Sequence, residues 1–152
     1  MKRIVLPVLV ATIAVFLVAC GGPREVLSAR EFTSRMEGAG HIVSDDLSYR
    51  LGGFNLETAL IADTGGFQVE FFVFDTNQAA RSMHNLLRRS LEDGRGNISS
   101  HRAVDLPNFN RLTQTTDGRF EALVRVENTI VLIATTTENR AAAQGILDLL
   151  GY

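Results

Sequence analysis

Apolar positions along this chain follow two different spacings, and the switches between them predict the elements. From Ser28 to Met36 the spacing is helical: Phe32 and Met36 share a face, Ser28 and Glu31 stand at capping-box distance, and Gly38 and Gly40 end the run. His41-Ile42-Val43 predicts a short strand ahead of a polar turn at Asp45-Asp46. Thr58 to Ala62 predicts a second strand, Gly65-Gly66 a hairpin, and Phe67 to Phe74 a strand rich in aromatic and β-branched residues. Asp75, with Gln78 three positions on, predicts the cap of a helix whose apolar stripe is Ala79, Ala80, Met83, Leu86 and Leu87. Gly94 to Asn97 ends that helix, and Asn97 to Asn110 reads as a loop. Phe120 to Val126 and Ile130 to Thr135 predict two strands joined at Glu127-Asn128-Thr129, and Glu138 to Leu150 predicts a closing helix.

The two halves follow one plan. A shift of 63 residues places Ala59, Leu60 and Ile61 on Ala122, Leu123 and Val124, and the stripe Ala79, Ala80, Met83, Leu86, Leu87 on Ala142, Ala143, Ile146, Leu149, Leu150. A strand–turn–strand–helix unit repeated in this way implies an α+β domain of two layers, an antiparallel sheet with helices on one face. Tight turns at Gly65-Gly66 and Asn128 favour hairpins over parallel crossovers, which need longer connections. The second face of such a sheet would then expose Phe72, Phe74, Leu123, Val131 and Ile133 among Gln68, Glu70, Glu121 and Arg125. An apolar patch ringed by charge is the pattern of a partner surface, so these five residues are the candidate interface.

The first twenty residues follow neither spacing. Lys2 and Arg3 precede an apolar run from Ile4 to Val18, broken only by Pro7 and Thr12. About 15 residues is short of the roughly 20 that a spanning helix requires, and the run has the form of a secretory leader. Its last positions, Leu17-Val18-Ala19-Cys20, resemble a bacterial lipobox. That resemblance implies cleavage before Cys20, a diacylglyceryl group on its thiol, often a further acyl chain such as palmitate on its amino group, and a home on the extracytoplasmic face of a bacterial membrane. The outer membrane is included if the cell has one. The chain then divides into a signal peptide (1–19), a short lipidated tether (20–27) and one α+β domain (28–152). Two or three acyl chains anchor far more firmly than one.

Composition narrows the function further. Cys20 is the one cysteine, so lipidation would leave the mature chain without thiol chemistry or a disulfide. The whole chain carries a net charge of −2, and loss of Lys2 and Arg3 with the leader makes it −4, which is no footprint for nucleic acid. No Gly-rich phosphate loop, zinc spacing or calcium loop occurs, and no cofactor is implied. His41 with Asp45 and Asp46, and His101 with Asp105, are the nearest approaches to metal ligands and read better as solvated polar positions. On the outer face of the second helix Arg81, His84 and Arg88 form a candidate anion contact. Glu31-Phe32, Phe71 to Phe74, Ala79-Ala80, Arg125 to Thr129 and Leu149 to Tyr152 together resemble small bacterial lipoproteins of no assigned activity. The resemblance implies a compact extracytoplasmic domain.

Three functions fit these residues. The first is a non-enzymatic module, held at the membrane through Cys20, that docks an envelope protein on the open sheet face. The alternative is a module binding a small molecule or glycan in a groove between that face and the 97–110 loop. The third is a hydrolase with a dispersed triad built on His41, His84 or His101.

Overall fold

The computed structural model describes residues 24–45, 55–94 and 96–152. The leader (1–19), Cys20, the start of the tether, Asp46 and Arg95 lie outside the described residues. In chain order the elements are α1 (Ala29–Gly38), β1 (Ile42–Ser44), β2 (Leu56–Asp63), β3 (Gln68–Phe74), α2 (Asn77–Asp93), β4 (Ile98–Leu106), β5 (Phe109–Thr116), β6 (Arg119–Val126), β7 (Thr129–Thr136) and, after a 3-10 turn, α3 (Arg140–Leu150). The strands form one seven-stranded sheet in the order β1-β2-β3-β7-β6-β5-β4, every pair antiparallel. This is the expected α+β class with its antiparallel sheet.

Local chemistry sets most of the boundaries. The Ser28 hydroxyl accepts from the Glu31 N–H while the Glu31 carboxylate accepts from the Ser28 N–H, a complete capping box at the start of α1. Thr76, one residue beyond the expected Asp75, caps α2 by accepting from the Ala79 N–H. Between β5 and β6, Asp117 and Gly118 both hold positive φ, the geometry of a two-residue hairpin turn whose twist matches its strands.

The helices divide between the two faces instead of sharing one. On the first face α1 and α3 cover Leu60, Ala62, Val69, Phe71, Ala122, Val124, Val131 and Ile133. On the second, α2 lies over Ala59, Phe72, Phe74, Leu112, Leu123 and Ile130. The face expected to stand open is therefore covered, and Phe72, Phe74, Leu123, Val131 and Ile133 are all buried. They also do not share a side. Val131 pairs with Phe71 and Ile133 with Val69, so both point to the first face, whereas Phe72 and Leu123 point to the second. Side-chain direction alternates residue by residue, and only the register between strands decides which sets align.

The first face closes around a stacked pair, Phe32 of α1 on Phe71 of β3, with ring centroids 4.5 Å apart and planes within 5°. Arg35 of α1 reaches the carboxyl end of α3 and donates to the Leu150 carbonyl at 3.1 Å, supplying a cation where the helix dipole favours one. Tyr152 is buried, its hydroxyl 2.9 Å from Thr129 Oγ1, and burial pushes its pKa up to about 12.

Phe72→Asp would put a carboxylate beneath α2 in place of a packed ring. We expect a loss of about 4 kcal/mol or more of stability, seen as a collapse of the cooperative urea transition. A variant with native circular dichroism and an unchanged urea midpoint would return Phe72 to the surface.

Candidate functional site

The three candidate anion contacts on α2 do not form one exposed group. The buried stripe of the helix is Ala80, Met83 and His84, with Ala79, Leu87 and Leu91 packed beside it, while Leu86 points outward. His84 is thus an inward position, four residues after Ala80. Arg81 is exposed and donates to the Pro107 carbonyl. Arg88 is held by Glu92 at 3.0 Å and by Asp105 of β4 at 2.8 Å, and those two carboxylates raise its pKa, Asp105 the more strongly. These contacts tie the helix to the β4–β5 hairpin and draw Arg81 and Arg88 to it, while His84 is turned inward.

Under α2 lies a residue that the sequence placed on an open face. Arg125 of β6 is 0% exposed. Its Nε donates to Asn110 Oδ1 at 2.7 Å, Nη1 to the Glu127 carbonyl at 2.7 Å, and Nη2 to the Pro107 carbonyl at 2.9 Å. One guanidinium therefore joins the β4–β5 turn to the β6–β7 turn. Burial and then the charge of Arg81 lower its pKa, partly offset by Glu127, but an arginine stays protonated under any such shift. Its neighbour His84 is affected more: burial first, then the Arg125 charge, pushes its pKa down to about 4. Neither ring nitrogen meets a partner in hydrogen-bond geometry among the described residues, although the Asn85 amide lies alongside.

The opposite side of the same hairpin carries the main concavity. The 97–110 stretch, expected as a loop, is β4 and its turn into β5. Its alternation places Ser100, Arg102, Val104 and Leu106 on one face, paired across to Phe109, Arg111 and Thr113 of β5. The helices α1 and α3 pack over β1, β2, β3 and β7 and leave this hairpin uncovered. A groove of about 910 Å³ results, bounded by the hairpin, by Arg140 and Gln144 of α3, and by Arg24 ahead of α1.

Four arginines, Arg24, Arg102, Arg111 and Arg140, line the groove, and among the described residues no acidic side chain does. The guanidinium of Arg24 lies 3.9 Å above the ring centroid of Phe109, a cation–π contact that fixes it over the floor. Arg111 is half-buried, donates to the main-chain oxygen of Tyr152 at 3.3 Å, and has its pKa lowered. Burial is the larger cause, followed by the charges of Arg24 and Arg102, with Asp148 acting the other way. Arg140 sits 5.6 Å from the centroid of the Phe120 ring. Val104, Phe109 and Val126 make the floor apolar, and Leu106 at its end is 53% exposed. None of the four arginines was singled out from the sequence. The signal was the alternation Arg102, Val104, Leu106 and Phe109, Arg111, hidden because a polar edge strand resembles a loop.

The other candidates stay apart. His41 precedes β1 and His101 lies on β4, at opposite edges of the sheet, some ~29 Å from each other at the usual strand spacing. His101 stands 3.9 Å from Glu92 on the α2 side, and Asp105 is engaged by Arg88 and Asn110. Among the described residues no group of three or more histidine, cysteine or acidic side chains is placed to hold a metal, and no helix is long and apolar enough to cross a membrane.

No protein-family model matches the chain, and no curated protein matches it. Among solved structures, a GTP binding regulator from Thermotoga maritima is similar with a TM-score of 0.52 and 15% identity, over 85% of this chain and 91% of that one. The extracellular domain of PknH from Mycobacterium tuberculosis matches with a TM-score of 0.40 and 15% identity, over 82% and 92%. The first likeness bears on the fold alone, and the second carries no argument.

Two outcomes follow from the residues under α2. In the unfolded chain His84 takes its proton near pH 6.5, and in the fold only near pH 4. Between those values the unfolded state binds more protons, so stability falls as pH drops through this window, by about 2–3 kcal/mol in all. Urea titrations from pH 7 to pH 4 should show that loss, and His84→Leu should flatten it; an equal slope in both proteins would remove His84 as the cause. Separately, Arg125→Met leaves two carbonyls and an amide oxygen without donors and should cost about 3 kcal/mol. An unchanged urea midpoint would mean that the clamp contributes nothing.

Proposed function

We propose that this chain is a non-enzymatic binding module of the bacterial cell envelope, lipid-anchored through Cys20, which holds an anionic ligand in the arginine-lined groove. The observation that carries the reading is the charge of the groove: among the described residues its lining holds four guanidinium groups and no acidic side chain, in a domain with an overall excess of acid. Positive charge gathered in one concavity while the rest of the surface is acidic focuses the field there and attracts anions. Planar guanidinium groups match phosphate and carboxylate oxygens in pairs, and the apolar floor suits a ligand that also carries a hydrocarbon or ring portion. The leader and its lipobox-like end, Leu17-Val18-Ala19-Cys20, support the address.

An envelope protein partner is the second reading, moved from the covered face to the sheet edge. Among the described residues strand β4 is an edge of the sheet, and Ile98 and Leu106 are exposed at its two ends. Such an edge accepts an added strand.

The groove reading is tested by thermal shift with glycerol phosphate and with inorganic phosphate. Saturable stabilisation is expected, growing with the logarithm of ligand concentration above the dissociation constant. The Arg102→Gln, Arg111→Gln double variant should lose it while keeping its own ligand-free melting temperature within a few degrees. No stabilisation of the native protein by either anion would dismiss an anion site in the groove.

A further inference from the structure

The position of Arg24 says more about the ligand than the charge of the groove does. Arg24 is four residues beyond Cys20 in the sequence, and it already lies against Phe109 on the groove floor. Four residues span at most about 14 Å when fully extended. Whatever holds Cys20 at a bilayer surface therefore holds the mouth of the groove within the same distance of that surface. The sequence alone suggested a freer tether, running to the helix start at Ser28. The fold shortens it, because Leu27 is buried as well.

The groove is also built for an amphiphile oriented in one way. Arg102 and Arg111 are diagonal neighbours on adjacent strands, with Arg102 facing Thr113 and Arg111 facing Val104. The charges of Arg24 and Arg102 both act on Arg111 between them. A single phosphodiester would relieve that repulsion. Next to this cluster, Val104 and Phe109 lead to Leu106, which is exposed at the end of the hairpin where an acyl chain would run.

Resting on the reading of an anion groove in a lipid-anchored chain, we infer that the groove takes the phosphodiester headgroup of an anionic phospholipid from the leaflet that holds the anchor. Arg24, Arg102 and Arg111 receive the phosphate, Leu106 enters the acyl boundary, and the β4–β5 edge rests on the bilayer. The acidic excess elsewhere then faces away from the membrane and keeps the domain in that one orientation.

The test uses the mature chain with Cys20→Ser, so that no acyl chain of its own can insert. Flotation is measured with vesicles of phosphatidylcholine alone and of phosphatidylcholine mixed with phosphatidylglycerol. Binding to the mixed vesicles and not to the neutral ones is expected. Arg102→Gln with Arg111→Gln should weaken it about thirty-fold, and a control pair of exposed arginines away from the groove, Arg89→Gln with Arg119→Gln, should leave it within about two-fold of the parent. Leu106→Asp should abolish flotation yet keep the thermal shift with glycerol phosphate. Circular dichroism of each variant confirms that it is folded. If glycerol phosphate stabilises the protein but mixed vesicles do not bind it, the lipid inference falls and the anion groove stands. If neither binds, both fall. Equal flotation of the groove variant and the control pair would also overturn the inference, because charge alone would then suffice.

Discussion

Arg125 brings a positive charge into the interior and holds it there with neutral acceptors, two main-chain carbonyls and one side-chain amide. Such a charge is tolerated only if its donors are matched, because removing it from water costs several kcal/mol. The geometry of both turns follows from that demand. The Pro107 and Glu127 carbonyls must face the same point, so the β4–β5 turn and the β6–β7 turn are fixed relative to each other and α2 can lie across them. A lysine would offer its three donors from a single nitrogen, whereas the planar guanidinium spreads Nε, Nη1 and Nη2 over a rigid fork that meets three separate acceptors. The neutrality of His84 comes first from its burial and is reinforced by the same charge. The groove on the far side depends on it too, since Phe109 and Asn108 belong to the hairpin whose turn Arg125 holds.

Much of the fold was legible where local chemistry decides. The capping box at Ser28 and Glu31, the long apolar strand ending at Phe74 and the closing helix all stand within a few residues of their expected bounds. Strand β4 was not legible: in Ile98–Leu106 most positions are exposed, and an edge strand so largely polar shows only the short alternation at Val104 and Leu106. Reading β4 as a loop hid both the groove and its arginines. The face assignments failed for a different reason. Whether Val131 joins Phe71 or Phe72 is a matter of register, which pairs residues from distant parts of the chain. His84 was misplaced by a rotation of the α2 stripe, because the sheet below β6 offers polar as well as apolar ground.

The 63-residue correspondence is carried by the elements in an instructive way. Shifting β2, Leu56–Asp63, by that interval lands on β6, Arg119–Val126, and the start of α2 lands on the start of α3. Each helix also covers the side of its own hairpin marked by Ala59 or its counterpart Ala122. Yet those sides are opposite faces of the common sheet. In that sheet β3 and β7 pair antiparallel, which turns one hairpin onto the other by rotation about an axis through the sheet and would leave both helices on the same face. The two units therefore share a pattern but differ in hand, and no rotation superposes them whole. That difference closes both faces of the sheet.

Strand β7 is the last strand in the sequence and lies in the middle of the sheet, between β3 and β6. A ribosome releases a chain from its amino end, so β3 emerges long before the neighbour that completes its hydrogen bonds. Until β7 arrives, the hairpin β2–β3 has a bare inner edge and the aromatic row Phe71, Phe72 and Phe74 has only half its packing. Assembly must wait for contacts of long sequence separation, which is a slow class of folding. The early half of the molecule is then kept from its final packing by its own incompleteness, and the strand that completes it is the one that arrives late.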